Sequence, residues 1–478
     1  MWQPVLMISG YVLGVLGLIM LIPAGMDITA GAADWSPFLS SALISVFFGF
    51  SLFLSNYAKI ERINLKQGYL ITVVCWVSVC LFSAIPFWLH HSVDSVVDAV
   101  FEATSGITGT GATIMGDVES QPHSVLLWRS LLNYIGGLGI VIFAVALLPF
   151  LGIGGMQIFQ HENSDSNDKF MPRFSYIAKR IVMVYLLLIA VCGGAYVLCG
   201  MGFFDAFNHA VSVIGTGGFS TKNASIGAFD SRLIDFVTMI FMLTGALPMT
   251  FYILLSRGLP ADRNRQVRTF LKFALYVGLV LGAFLYVRSD YSLFYAMWNG
   301  MFTTIALVTT TGLATVDYTQ WGVWMTAVVL LLSLSGGCTG STCGSIKILR
   351  WQVVYAFLRK YLLWVVETNR VVSMKIGAVN VSEKVSMSVF VYLLSFMISL
   401  LLLTLLVSAT GVDFQTSISA VLACITNVGV GAIDVIGPHG NYAFFAPQVK
   451  WILMFTMFLG RLEVITVLVL FSASFWRR

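Results

Sequence analysis

The sequence predicts an all-α membrane protein built from four parallel repeats about a pseudo-fourfold axis, preceded by two extra N-terminal spans. Three observations lead there. Apolar residues make up 58% of the 478 and charged residues only 10%, far from the roughly one-half and one-quarter of a soluble domain. Apolar runs of roughly the 20 residues that a helix needs to cross a bilayer recur along the chain. Four short glycine-bearing segments follow alternate runs at one structural place.

Residues 1–68 hold the first two spans, at about 4–24 and 38–58. "TAGAAD" after the first resembles a cleavage site, but the leader "MWQ" carries no Lys or Arg and the run is too long for a secretory h-region, so it reads as a true span. The repeats then occupy 69–177, 178–268, 269–384 and 385–478, with spans at about 69–90 and 124–150, 178–201 and 232–257, 269–288 and 321–334, and 385–409 and 448–472. A weaker apolar piece lies at 346–358.

Placing the N-terminus in the cytoplasm distributes charge as the positive-inside rule requires. Of the 27 Lys and Arg, Arg129, Lys222, Arg232, Arg288 and Lys450 fall outside or near outer ends, Arg461 falls within the last span, and the others fall on inner segments. The net charge of +5 therefore needs no nucleic-acid partner. Carboxylates show the opposite bias, and an outer face rich in them attracts cations. The seven cysteines have no zinc or haem spacing, and Cys338 with Cys343 reads as a pair of small residues.

Between the two spans of each repeat lie "FEATSGITGTGAT", "FNHAVSVIGTGGF", "FTTIALVTTTGLA" and "SISAVLACITNVGVG". Set on a common glycine they align Gly111, Gly217, Gly312 and Gly429, with Phe101, Phe207 and Phe302 ten residues ahead of the first three and Ser419 in the fourth. About ten helix-compatible residues cover only about 15 Å, half the hydrocarbon core, so each segment dips in without crossing. Two full spans per repeat return the chain to the same side, which makes the repeats parallel rather than inverted. Irregular backbone at membrane depth is tolerated where it is buried or lines a watery path. Each half-helix directs its negative end inward, favouring a cation, and carbonyls after it can replace a potassium ion's hydration shell.

These segments, with "YIGGLGIVIFAVALLP", "GGCTGSTCGSIKILR" and "GRLEV", resemble the TrkH branch of the Trk/Ktr/HKT superfamily of potassium transporters over nearly the whole chain. The resemblance implies a homodimer in the cytoplasmic (inner) membrane, in contact with membrane lipid, that takes up potassium under control of a cytosolic TrkA-type nucleotide-binding ring. It implies no cofactor in this chain: potassium is the substrate, and any nucleotide sits on the partner. The filter it implies comprises Thr108, Gly109, Thr110, Gly111 and Ala112; Ile214, Gly215, Thr216, Gly217 and Gly218; Thr309, Thr310, Thr311, Gly312 and Leu313; and Thr426, Asn427, Val428, Gly429 and Val430. Only one glycine position is shared by all four, which predicts less strict discrimination than a filter with a second glycine in every copy, with room for rubidium or some sodium.

"SGGCTGSTCGS", residues 335–345, interrupts the third repeat with Gly336, Gly337, Gly340 and Gly344 and lacks P-loop spacing. The resemblance implies an intramembrane loop below the filter that obstructs the path. Arg461, eleven residues past Lys450, is too deep to snorkel easily, and an intramembrane Arg marks a functional site by default; it is expected to hold carbonyls of that loop. Glu463, two residues on, points to another helix face. No catalytic constellation is evident, so an enzyme is not expected. An ion-coupled (proton or sodium) secondary transporter is the alternative, but the filter positions carry no titratable side chain. About 100 mV, inside negative, favours entry of one charge by about 2.3 kcal/mol, enough for a gradient of roughly 50-fold without coupling.

Overall fold

A computed structural model describes residues 2–477 apart from 32–34, 59–63, 147–169, 257–264, 368–372 and 377–378. The first two spans are α1 (Trp2–Thr29) and α2 (Ser36–Ser55). They pack through glycine: a β-carbon on Gly10 would lie 2.6 Å from the carbonyl oxygen of Gly49, and one on Gly17 would lie 2.8 Å from that of Ala42. Small residues allow such close approach of helices inside a bilayer.

The first spans of the four repeats are α3 (Leu65–Leu89), α6 (Phe170–Leu198), α10 (Arg265–Arg288) and α14 (Glu383–Ser408). Each is followed by a short helix: α4 (Val96–Thr108), α7 (Phe203–Ile214), α11 (Leu293–Val308) and α15 (Phe414–Ile425). Three of these start on a side-chain cap, Ser95, Ser292 and Asp413, which accepts a backbone N–H that the first turn leaves unpaired. They stop where left-handed backbone begins one or two residues later.

The second spans depart from the expected plain helices. In repeat 1, α5 (His123–Ala146) is continuous as far as it is described. In repeat 2 the run expected at 232–257 bends by 92° between α8 (Arg232–Gly245) and α9 (Met249–Leu255). Pro248 caps the second piece and has no N–H to continue the ladder. In repeat 3, α12 (Trp324–Ser333) gives way to the glycine-rich loop before α13 (Ile348–Val366). In repeat 4 the run expected at 448–472 bends by 114° between α16 (Pro447–Arg461) and α17 (Val464–Leu468). Glu463 sits in the break with φ +66°. Among the described residues, seven helices can cross a membrane alone, and the two bent pairs raise this to nine. The all-α expectation needs one small amendment, a hairpin of β1 (Lys375–Ile376) and β2 (Val379–Asn380).

Candidate functional site

Backbone geometry sets the register of the four segments. Left-handed φ occurs in pairs two residues apart: Gly109 and Gly111, Thr216 and Gly218, Thr310 and Gly312, Asn427 and Gly429. The backbone N–H between each pair turns back to the half-helix, Thr110 to Ser105, Gly217 to Ser212, Thr311 to Ala306 and Val428 to Ala423, at 2.8–3.0 Å. Gly218, not Gly217, is therefore the equivalent of Gly111, Gly312 and Gly429. The second segment runs over Gly215–Phe219, and Ile214 is the last residue of its half-helix. Burial agrees: Phe101 and Phe302 are buried, Asn208 is buried in their place, and Phe207 is 38% exposed. The adjacent Gly217 and Gly218 made the alignment ambiguous by one residue, and the Phe207 match settled it wrongly.

The four glycines close a ring. A β-carbon on Gly111 would collide with the carbonyl oxygen of Gly217, one on Gly218 with that of Thr311, one on Gly312 with that of Val428, and one on Gly429 with that of Thr110. Each contact joins the same two positions of successive repeats, and the fourth returns to the first. Glycine is required twice over, by positive φ and by this approach. The second left-handed position is glycine only in repeat 1, yet Thr216, Thr310 and Asn427 adopt it at φ 48–55°. A left-handed threonine costs roughly 1–2 kcal/mol, whereas asparagine visits this region readily, so repeats 2 and 3 hold the same path under strain.

Behind the ring, the Thr108, Thr309 and Thr426 hydroxyls each donate to the carbonyl four residues earlier at 2.7 Å. Gly215 replaces that threonine in repeat 2; a β-carbon there would lie 3.0 Å from the Tyr185 hydroxyl, and one on Gly217 would strike Asn133. Ala112, Leu313 and Val430 continue the other strands outward, where a cavity of about 90 Å³ is lined by all four ring glycines together with Arg129 and Lys222.

The outer strands are tied to the half-helices by groups that the sequence did not join. Glu102, fully buried, accepts from Arg129 Nε at 2.8 Å and from the Ile114 N–H at 3.0 Å. Arg129 also donates to the Ser220 carbonyl at 3.1 Å, linking repeats 1 and 2. Lys450 pairs with Asp98 at 2.6 Å, linking repeats 4 and 1. The signal was present: Arg129 and Lys450 lie a few residues inside apolar helices, where a cation needs a partner.

Beneath the ring lies the buried loop 335–345. Gly336 and Gly340 take φ +64° and +81°. The backbone of the loop is pinned at Cys338 N–H to the Ala246 carbonyl (3.0 Å), at the Gly340 carbonyl by Met249 N–H (3.1 Å) and at the Gly337 carbonyl by Ile348 N–H (3.0 Å). Thr342 donates to the Ile214 and Gly245 carbonyls at 3.1 Å, the Cys343 thiol to the Thr309 carbonyl at 3.0 Å, and Gly344 N–H to the Thr310 hydroxyl at 3.0 Å. A β-carbon on Gly344 would lie 2.5 Å from the Thr426 carbonyl. The loop thus touches repeats 2, 3 and 4 directly. Arg461 supplies the remaining side: it donates to the Thr342 carbonyl at 2.7 Å and to the Gly136 carbonyl of α5 at 3.3 Å, and its guanidinium lies against Gly109. Only one of its acceptors belongs to the loop, where several were expected. Glu463 lies in the adjacent break and receives Arg350 Nη2 at 2.7 Å and Lys347 Nζ at 3.9 Å, all three buried. Arg350 stacks over Tyr392 at 3.7 Å.

The model of the TrkH family, described as a cation transport protein, matches residues 37–274 and 267–478. The chain belongs to the TrkH family. It is therefore grouped with transport proteins rather than enzymes. TrkH-family relatives include the Trk system potassium uptake protein TrkI of Halomonas elongata, 34% identical over 100% of this chain and 97% of that protein. The Trk system potassium uptake protein TrkG of Escherichia coli K12 is 36% identical over 87% and 86% of the two chains. The crystal structure of the potassium transporter TrkH from Vibrio parahaemolyticus superposes with a TM-score of 0.92 at 30% identity, covering all of both chains.

Proposed function

We propose that this chain conducts potassium into the cell down its electrochemical gradient, through the axis of the four-membered ring. The ring contact that repeats from Gly111 round to Gly429 carries the reading, because it sets one carbonyl per repeat around a common axis. The Trk system potassium uptake relatives support potassium as the ion. In this reading the potassium site comprises Thr108–Ala112, Gly215–Phe219, Thr309–Leu313 and Thr426–Val430. The positive-inside bias supports a cytoplasmic N-terminus in the inner membrane.

The loop 335–345 and Arg461 form the gate in this proposal. Residues 342–344 lie below the filter, and a buried guanidinium beside Gly109 repels a cation leaving it. The working unit is a homodimer whose gate is moved by a cytosolic TrkA-type ring carrying the nucleotide. Arg263, Arg265 and Arg268 would dock that ring in this reading; Arg265 and Arg268 start α10, whereas Arg263 lies outside the described residues. Ion coupling through the outer carboxylates has less support, since Asp98 and Glu102 are already paired with Lys450 and Arg129.

Rubidium tracer uptake into liposomes holding the purified dimer and loaded with potassium tests the proposal. Uptake that external potassium competes away and sodium competes weakly is expected; equal competition by both would remove the selective filter.

A further inference from the structure

We propose that the inner end of the third repeat binds the headgroup of an anionic phospholipid of the cytoplasmic leaflet. This goes beyond the conduction reading and does not depend on it. A cavity of about 510 Å³ lies between the start of α10, the middle of α13 and the β1–β2 hairpin. Its cationic wall is Arg265, Arg359, Lys360 and Lys375, with Thr269, Gln352 and Ser373 beside them, and among the described residues no carboxylate lines it. Lys360 meets Glu383 at 3.2 Å; among the described residues, Arg265, Arg359 and Lys375 form no ion pair. Three cations gathered without a counter-charge, beside a fourth that Glu383 only partly offsets, select an anion.

Depth and the second wall identify its source. Helix α13 leaves the buried loop at Ile348, and at 1.5 Å per residue Arg359 lies about 17 Å further along its axis. Half a hydrocarbon core is about 15 Å, so the cations reach the headgroup level. Tyr361 and Trp364 lie exposed just beyond Arg359 on α13, as aromatic residues do at a membrane interface, while Trp351 and Tyr355 line the deeper part of the cavity. Leu358 and Leu362 are likewise exposed on this helix. A soluble phosphate would have no use for such an apolar flank, whereas acyl chains beside the cavity would cover it. Because α13 continues directly from the loop, a bound headgroup would tie the loop's inner anchor to α10.

The test uses the delipidated full-length dimer, titrated with dioctanoyl phosphatidylglycerol, dioctanoyl phosphatidylcholine, inorganic phosphate and ATP, with bound species read by native mass spectrometry. The native chain is expected to prefer phosphatidylglycerol over phosphatidylcholine by about tenfold or more. Replacing Arg265, Arg359 and Lys375 by Gln should abolish the preference, while Arg359→Lys keeps it. Replacing Lys66, Lys179 and Arg180 by Gln, inner-face cations outside the cavity, should also keep it. No preference in the native chain, an undiminished preference in the cavity triple variant, or an equal loss in the control triple variant would overturn the proposal. Displacement of phosphatidylglycerol by millimolar phosphate or ATP would overturn it in favour of a soluble anion. Loss of association with a TrkA-type ring while lipid preference persists would assign the cations to a protein partner.

Discussion

Gly217 and Gly218 are neighbours with opposite constraints, and they make the sharpest test of the ring. Gly218 has φ +77° and faces the Thr311 carbonyl, so any side chain there is strained by its backbone and strikes another backbone. Gly217 has an ordinary φ, and the atoms nearest a β-carbon there belong to the Asn133 side chain. Gly218→Ser is expected to raise the sodium-to-potassium permeability ratio whether or not Asn133 is shortened. Gly217→Ser is expected to raise it alone and to recover toward the native ratio with Asn133→Ala. Bi-ionic reversal potentials decide; equal rescue of both variants would move the ring back to Gly217. The sequence exposed the existence of four segments, because glycine is the one residue that tolerates both constraints. It could not expose the register of the second, because a tolerated residue beside a required one is the same letter.

Three second spans are broken just beneath the ring, and the breaks meet: Cys338 N–H bonds the Ala246 carbonyl, and Arg461 the Thr342 carbonyl. The sequence displayed the break of repeat 3, where several glycines cannot form a plain helix. It hid the other two: Pro248 stands inside an apolar run where prolines also kink intact spans, and Leu462–Glu463 bears no glycine or proline at all. Arg461 was legible as a costly buried charge, but its Gly136 acceptor on another repeat could not be read from spacing. Since Arg461 joins the loop to repeat 1, Arg461→Ala should raise potassium flux without any activating partner, as should deletion of Gly336–Gly340. Combining them should add little, as expected for changes to one barrier. Unaltered or lower flux for folded, dimeric Arg461→Ala would make the arginine structural. Glu463→Gln leaves Lys347 and Arg350 without their charge partner, and breaking such a buried cluster typically costs about 3–5 kcal/mol. A clear fall in the unfolding midpoint of the detergent-solubilised chain is expected, with a smaller fall for Glu463→Asp; an unchanged midpoint would show that the cluster is not under load.

Across the whole molecule, composition and the recurrence of apolar runs were enough for the all-helical multi-pass class, since that follows from bilayer thickness and backbone satisfaction. The Glu102–Arg129 and Asp98–Lys450 pairs and the cation cavity along α13 depend on which repeats become neighbours, which a linear pattern does not state. Reversing Arg265 and Arg268 to Glu should weaken co-purification with a TrkA-type ring, and unchanged co-purification would take that edge out of the docking surface. Passive potassium conduction through the ring underlies each of these outcomes. It is tested most directly by the reversal potential of the purified chain, native and Arg461→Ala, in a planar bilayer under a potassium gradient, with and without an added proton gradient. A reversal that follows the potassium gradient and is unmoved by protons is expected; one that shifts with the proton gradient would mean that potassium entry is coupled to protons.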